Sequence, residues 1–289
     1  MKKQMGTRTL VALGVTLVFW ASAFAGIRAG LEAYAPGHLA LFRFLVASTV
    51  LVGYAALTRM RMPEVRDLPT ILLLGFLGFT VYHVAVAYGE VSVTAGAASL
   101  LIASGPVFTA FLARVFLGER LNVWGWLGIA VSFLGVALVA LGEGEGVRFD
   151  QGAFLILLAA FSTSLYFVFQ KPYLKKYSAF QFTSYTIWAG TFFMLVFLPG
   201  LAHSVQIASL DATLAVVYLG IFPAALAYMT WTYALSQAPA SIVTSFLYLS
   251  PVLAILIAWV WLGELPLALS MIGGFLSLLG VVLVTTRGR

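Results

Sequence analysis

Long apolar runs alternate with short polar gaps along the whole chain. A helix needs about twenty mostly apolar residues to cross a bilayer. Runs of that kind predict helices over 9–28, 38–57, 68–88, 94–116, 122–141, 151–170, 178–198, 211–232, 239–261 and 266–285. Pro36, Pro63, Pro172, Pro199, Pro239 and Pro266 fall at or near the proposed ends, where a helix tolerates proline. The clearest polar gap, Gly142 to Gly152, holds Glu143, Glu145, Arg148 and Asp150 and divides the chain almost in half. The pattern predicts an all-α integral membrane protein of ten transmembrane helices. Residues 1–142 form a first half, 143–150 a linker and 151–289 a second half.

Lys2, Lys3 and Arg8 before an apolar run, with Ala21-Ser22-Ala23 at its end, also fit a secretory signal peptide. The run continues to Ile27, long enough for a span, so an uncleaved first helix is the preferred reading. With the amino terminus inside, thirteen basic residues fall on the inner side: Lys2, Lys3, Arg8, Arg59, Arg61, Arg66, Arg114, Arg120, Lys171, Lys175, Lys176, Arg287 and Arg289. Arg28 and Arg148 fall outside, and Arg43 lies within a span. Basic residues gather on the cytoplasmic side. The expected location is a bacterial inner membrane, with both termini cytoplasmic and the linker periplasmic.

A shift of 145 residues aligns the chain with itself. Gly75 meets Gly220, Tyr88 meets Tyr233, Ala95 meets Ala240 and Pro106 meets Pro251. Leu117-Gly118-Glu119 meets Leu262-Gly263-Glu264, Gly128 and Ser132 meet Gly273 and Ser277, and Gly135-Val136 meets Gly280-Val281. Five helices per half is an odd number, so the second half enters the membrane in the opposite sense. Such inverted repeats are common in secondary transporters, where two halves rock about a central site. A channel or membrane enzyme can also contain one.

Composition narrows the class. Charged residues make up 9% of the chain, against about 25% in soluble domains, so lipid must cover much of the surface. The net charge of +6 sits in short gaps, not in a basic patch with aromatics, and nucleic acid is not an expected partner. There is no cysteine, hence no disulfide framework or thiolate site. Walker A, HExxH and G-x-S-x-G motifs are absent. His38, His83 and His203 are far apart in sequence. No cofactor or metal is expected, and the chain does not read as an enzyme.

Trp20-Ala-Ser-Ala-Phe24, Arg43, Ala95 to Pro106, and Leu117-Gly-Glu-Arg120 resemble the drug/metabolite transporter superfamily, in its EamA-type ten-helix exporter branch. The second-half echo runs from Leu249-Ser-Pro251 through Leu262-Gly-Glu264 to Gly280. Within the branch the chain most resembles YddG-type aromatic amino acid exporters. The resemblance implies a metabolite exporter with substrate held between the halves. The chain departs from the family pattern at Glu90, where small or hydroxylated residues are usual.

Ionisable residues inside spans usually face a cavity or a partner. Two are present, Arg43 and His83. Arg43 suits a substrate carboxylate, or a structural pair or snorkelling side chain. His83 is a neutral hydrogen-bonding residue or a substrate contact. The 145-residue shift pairs His83 with Tyr228 and Arg43 with Trp188. Gln181, Tyr185 and Trp188 share one helix face, Tyr228 and Trp231 another, and Tyr82 adjoins His83. The resemblance implies that Trp20 and Tyr166, deep in the first helix of each half, also line the cavity. An aromatic wall suits a flat or apolar solute; ordinary packing is the alternative for each residue. Trp124, Trp126, Trp259 and Trp261 lie near span ends and read as interfacial belts.

Pro106 and Pro251 lie mid-span and read as kinks or as hinges. Gly128-x-x-x-Ser132 and Gly273-x-x-x-Ser277 permit close helix approach, joining the fifth and tenth helices or forming a homodimer face. Glu119 and Glu264 are expected to cap the helices they precede. Every acidic residue lies in a loop or near a span end, which argues against a carboxylate relay and for facilitated movement without obligatory proton exchange. The chain therefore reads as an exporter of aromatic and other apolar amino acids, working by alternating access. Multidrug efflux is the alternative within transport, and a membrane-embedded enzyme or channel the alternative outside it.

Overall fold

The computed structural model describes residues 6–93, 95–142, 151–250, 252–253 and 268–288, and among these no strand occurs. Helices α1 (Thr7–Leu31) and α2 (Pro36–Leu57) open the chain. Helix α3 (Leu68–Gly75), a π-helical stretch over Phe76–Val81 and α4 (Tyr82–Gly89) run on as one span. Then come α5 (Ala95–Ile102), α6 (Gly105–Phe116), α7 (Val123–Gly142) and α8 (Gln151–Phe169). Helix α9 (Ala179–Met194) leads through an 85° bend into α10 (Leu201–Ile207). Helix α11 (Leu210–Leu219), a second π stretch over Gly220–Leu226 and α12 (Ala227–Gln237) form another long span. The last elements are α13 (Ala240–Ser245), a 3-10 turn over Phe246–Leu249, and α14 (Ala268–Arg287).

Among the described residues, five helical segments are long and apolar enough to cross a membrane, or six if the bent pair α9–α10 counts as one span. Shorter apolar helices cover Leu100–Phe116, Val123–Leu138, Ala240–Leu249 and Met271–Arg287. Large apolar side chains such as Phe111, Phe154, Phe192 and Phe275 point outward. Thr16, Ser164, Thr183, Thr186 and Thr232 are covered inside. Lipid tails reward an apolar exterior, while interior hydroxyls join helices by hydrogen bonds: Thr183 donates to Thr232 at 2.9 Å, and Ser48 pairs with Thr191 at 2.8 Å.

The repeat is visible as reciprocal contacts. Ser132 Oγ donates to the Ser277 carbonyl at 3.1 Å, and Ser277 Oγ returns a bond to the Ser132 carbonyl at 3.3 Å. A Cβ on Gly135 would lie 2.6 Å from the Gly273 carbonyl, and one on Gly280 would lie 2.5 Å from the Gly128 carbonyl. Residues 145 apart thus exchange roles across antiparallel α7 and α14. That is the signature of a two-fold axis across the helices, which inverts one half relative to the other. The small-residue pairs are spent on this α7–α14 contact.

Both π stretches occupy matched positions in the two halves. A π turn loosens the helical ladder. In the second it contains Pro223, which has no N–H to give. Each stretch receives a donor from the opposite half: Trp20 Nε1 bonds to the Pro223 carbonyl at 3.1 Å, and Ser162 Oγ to the Leu77 carbonyl at 2.8 Å.

Glu119 corrects an expectation. It does not cap the helix it precedes. Gly118 adopts φ +66°, a conformation that favours glycine, and turns the chain back after α6. The Glu119 carboxylate then accepts from Ala240 N (2.9 Å), Ser241 N (3.1 Å) and Ser241 Oγ (2.7 Å) at the start of α13. Lys171 Nζ lies 3.7 Å from the same carboxylate and donates to the Leu235 carbonyl at 3.1 Å. One Leu-Gly-Glu turn therefore ties the two halves together. Glu264 and the 143–150 linker lie outside the described residues. A second tie joins loops of the two halves: Lys176 bonds Asp67 and, at 2.6 Å, Glu64. The ammonium holds the Glu64 carboxyl below the usual range.

Candidate functional site: a cavity between the halves

Two helix breaks frame the site. Between α5 and α6 the chain leaves the helix at Ala103–Ser104, and in the second half the 3-10 turn Phe246–Leu249 falls at the matched place. Pro106 is the second residue of α6 and offers no N–H to the Ile102 carbonyl. Its counterpart Pro251 lies outside the described residues. Non-helical backbone at membrane depth is tolerated where it is buried in protein or lines a cavity, and here it does line one. Ile102, Ala103 and Gly105 from the first break, with Leu247 and Ser250 beside the second, form part of its wall.

The cavity measures about 70 Å³, several times the ~10–15 Å³ that one water needs. Trp20, Ala23, Phe24 and Ile27 of α1 line it at i, i+3, i+4 and i+7, one helix face. Tyr82, His83 and Val86 of α4 face it, as do Thr163 and Phe167 of α8, Tyr228 of α12 and Arg43 of α2.

Three polar side chains of the wall form a chain. Arg43 Nη1 lies 3.4 Å from His83 Nδ1, and His83 Nε2 lies 3.1 Å from the Tyr228 hydroxyl. Guanidinium nitrogens only donate, so Nδ1 accepts and the ring proton sits on Nε2. Nε2–H then donates to the Tyr228 oxygen, which leaves the Tyr228 O–H proton for another acceptor. Arg43 is only 2% exposed. No carboxylate lies within 4 Å of it among the described residues, and its Nε has no hydrogen-bond partner there. A buried cation without a bonded anion at a cavity wall is a ready anion site.

Aromatic rings form another part of the wall. The Trp20 ring centroid stands 4.9 Å from Tyr228 edge-on and 6.4 Å from Phe167 in a stacked arrangement. Phe44 lies 4.5 Å from His83 on its far side. Gln181 is spent elsewhere, in a capping box with Ser178 at the start of α9.

Of the nine sequence candidates, Trp20, Arg43, Tyr82, His83 and Tyr228 meet at this cavity. Trp231 is fully covered behind it, 5.0 Å from both Trp20 and Phe167. Tyr166 is also covered, its hydroxyl 3.2 Å from Thr186 and its ring 5.1 Å from Phe79. Tyr185 donates to the Arg61 carbonyl and packs 6.2 Å from Trp188, in a separate group with Tyr177. Phe24, Phe167, Thr163 and Ser250 also line the cavity, although none of them is among the nine candidates.

The EamA-like transporter family matches residues 8–141 and again 150–286, one match per half. The chain belongs to that family. This EamA-like transporter is 49% identical to "Uncharacterized transporter YdfC" of Bacillus subtilis, over 94% of the chain and 89% of the relative. It is 42% identical to a "Probable terminal-alkyne amino-acid exporter" of Streptantibioticus cattleyicolor, over 97% of the chain and 94% of the relative. A protein of solved crystal structure, 19% identical, shares the fold with a TM-score of 0.79 over 99% of both chains.

Proposed function

We propose that this transporter exports small amino acids with aromatic or other apolar side chains, by alternating access of the central cavity. The observation that carries the reading is Arg43, buried at an aromatic wall with no bonded carboxylate among the described residues. A free amino acid supplies the missing anion, and Trp20, Phe24 and Phe167 supply a surface for its side chain. The relative named as an amino-acid exporter supports the same class. Liposomes holding purified protein and loaded with radiolabelled solute test it. L-Phenylalanine, L-leucine and L-propargylglycine, a terminal-alkyne amino acid, are expected to leave down their gradients faster than from empty liposomes. Phenethylamine, which lacks the carboxylate, is expected to leave no faster than from empty liposomes. Protein-dependent efflux of phenethylamine equal to that of phenylalanine would instead favour a drug-type carrier.

The orientation belongs to the same proposal: both termini in the cytoplasm of a bacterial inner membrane, with the 143–150 linker outside, a reading supported by the thirteen-to-two split of basic residues. The chain has no cysteine, so Glu145→Cys gives a single thiol. An impermeant maleimide is expected to label it in spheroplasts; labelling only after the membrane is broken reverses the orientation.

A further inference from the structure

Glu90 sits at the end of α4 and is 7% exposed. Residues 83, 86 and 90 stand at i, i+3 and i+7, so Glu90 occupies the helix face that His83 and Val86 turn to the cavity, one turn further along. Neither carboxylate oxygen has a hydrogen-bond partner among the described residues. Three groups lie within electrostatic reach: Arg43 from α2, Arg28 from α1 and Tyr82 on its own helix. Helix α8 meets this end of α4 through Gly152 and Ile156, neither of which titrates. Covering a carboxyl opposes its charge, while two arginines favour it. Its charge state therefore responds to whatever engages Arg43.

We infer that Glu90 is the resident counter-charge of Arg43 and competes with the carboxylate of the transported solute for that cation. The inference rests on the carboxylate role proposed for Arg43. Its sign follows from linkage. When Glu90 is protonated, Arg43 is uncompensated and a solute carboxylate binds best. As pH rises and Glu90 ionises, the two anions compete and binding weakens. By reciprocity, a bound solute carboxylate promotes protonation of Glu90. Proton uptake then tunes affinity without being an obligatory step of transport.

Equilibrium binding of radiolabelled L-phenylalanine to the purified protein between pH 5 and pH 8 tests this. The amino acid stays zwitterionic over that range, so a slope belongs to the protein. Wild-type affinity is expected to hold from pH 5 to about pH 7 and to fall about twofold by pH 8, as Glu90 begins to ionise. Glu90→Gln keeps the shape, removes the charge, and is expected to bind at every pH as the wild type does at pH 5. Glu90→Asp is expected to keep a slope. Arg43→Gln is expected to bind weakly at all pH values. A flat wild-type profile, or an unchanged slope in Glu90→Gln, overturns the competition; in the second case His83 is the titrating group. Undiminished binding in Arg43→Gln overturns the carboxylate reading itself. Weak binding there with an unchanged slope in Glu90→Gln sinks only the present inference.

Discussion

Replacing Arg43 by glutamine is expected to lower phenylalanine efflux by about 10- to 100-fold while leaving the protein folded in the membrane. A charge-assisted hydrogen bond contributes about 1.5–3 kcal/mol, and about 1.4 kcal/mol is tenfold in affinity, which sets that range. The fold should survive because Arg43 makes one hydrogen bond, at 3.4 Å to His83, and no ion pair within 4 Å among the described residues. A buried guanidinium so lightly held is a cost to stability, so thermal unfolding of Arg43→Gln should occur at the wild-type temperature or above. Arg43→Lys keeps the charge and loses the planar fork, and should fall between the two. The measurements are efflux from liposomes and thermal melting in detergent. Wild-type efflux in Arg43→Gln would remove the anion site from the mechanism. Loss of both efflux and melting temperature would make Arg43 a structural residue.

The membrane class and the two-fold organisation were legible from sequence because they rest on composition and on gapless spacing. Lipid demands an apolar exterior, so a low charge content is itself a structural statement. Gly128, Ser132, Gly135, Gly273, Ser277 and Gly280 match at one offset because they pack against each other across the axis. A Cβ or a shift on one side must be answered on the other. The ends of the shorter helices were less legible. The helix predicted over 94–116 is broken at Ala103–Ser104, since apolar residues satisfy lipid equally well in helix and break. Pro106 marked the place without saying whether the helix bends or interrupts.

At the site, sequence found residues with unusual chemistry and missed those with ordinary chemistry. Arg43, His83 and Tyr228 are conspicuous in hydrocarbon, and the 145-residue offset paired the last two, which bond at 3.1 Å. Aromatic identity carries no direction. Tyr166 and Phe167 are adjacent, yet Phe167 faces the cavity and Tyr166 faces Phe79. The stripe Trp20, Ala23, Phe24 and Ile27 was available as helical periodicity, but in a span apolar all round that period does not separate the cavity side from the lipid side. Glu119 escaped for another reason: its partner amides lie 121 and 122 residues away, and only the folded repeat brings them together.

His83→Phe is the other substitution expected to act strongly, lowering efflux by about tenfold. Phenylalanine fills the space of the imidazole between Phe44 and Tyr82, whose rings stand 4.5 and 4.6 Å away, but it neither accepts from Arg43 nor donates to Tyr228. The Arg43 fork then loses the partner that aims it, and the Tyr228 proton is free to turn away from the cavity. Each lost or misdirected hydrogen bond is worth about 0.5–1.5 kcal/mol, and two together reach the tenfold figure. His83→Asn separates the two bonds. Its side-chain oxygen keeps an acceptor near the Nδ1 position for Arg43, while the donor to Tyr228 is gone, so its loss should be smaller and should match that of Tyr228→Phe. The hydrogen-bond directions also fix the proton. A second proton on Nδ1 would point at the Arg43 guanidinium, so the ring should stay neutral with its proton on Nε2. Nitrogen NMR of selectively labelled histidine is expected to show that tautomer for His83 from pH 5.5 to pH 8, with and without the Glu90→Gln change. A His83 signal that becomes doubly protonated within that range would reverse the assignment and make the imidazole, not the Glu90 carboxyl, the group through which pH reaches the cavity.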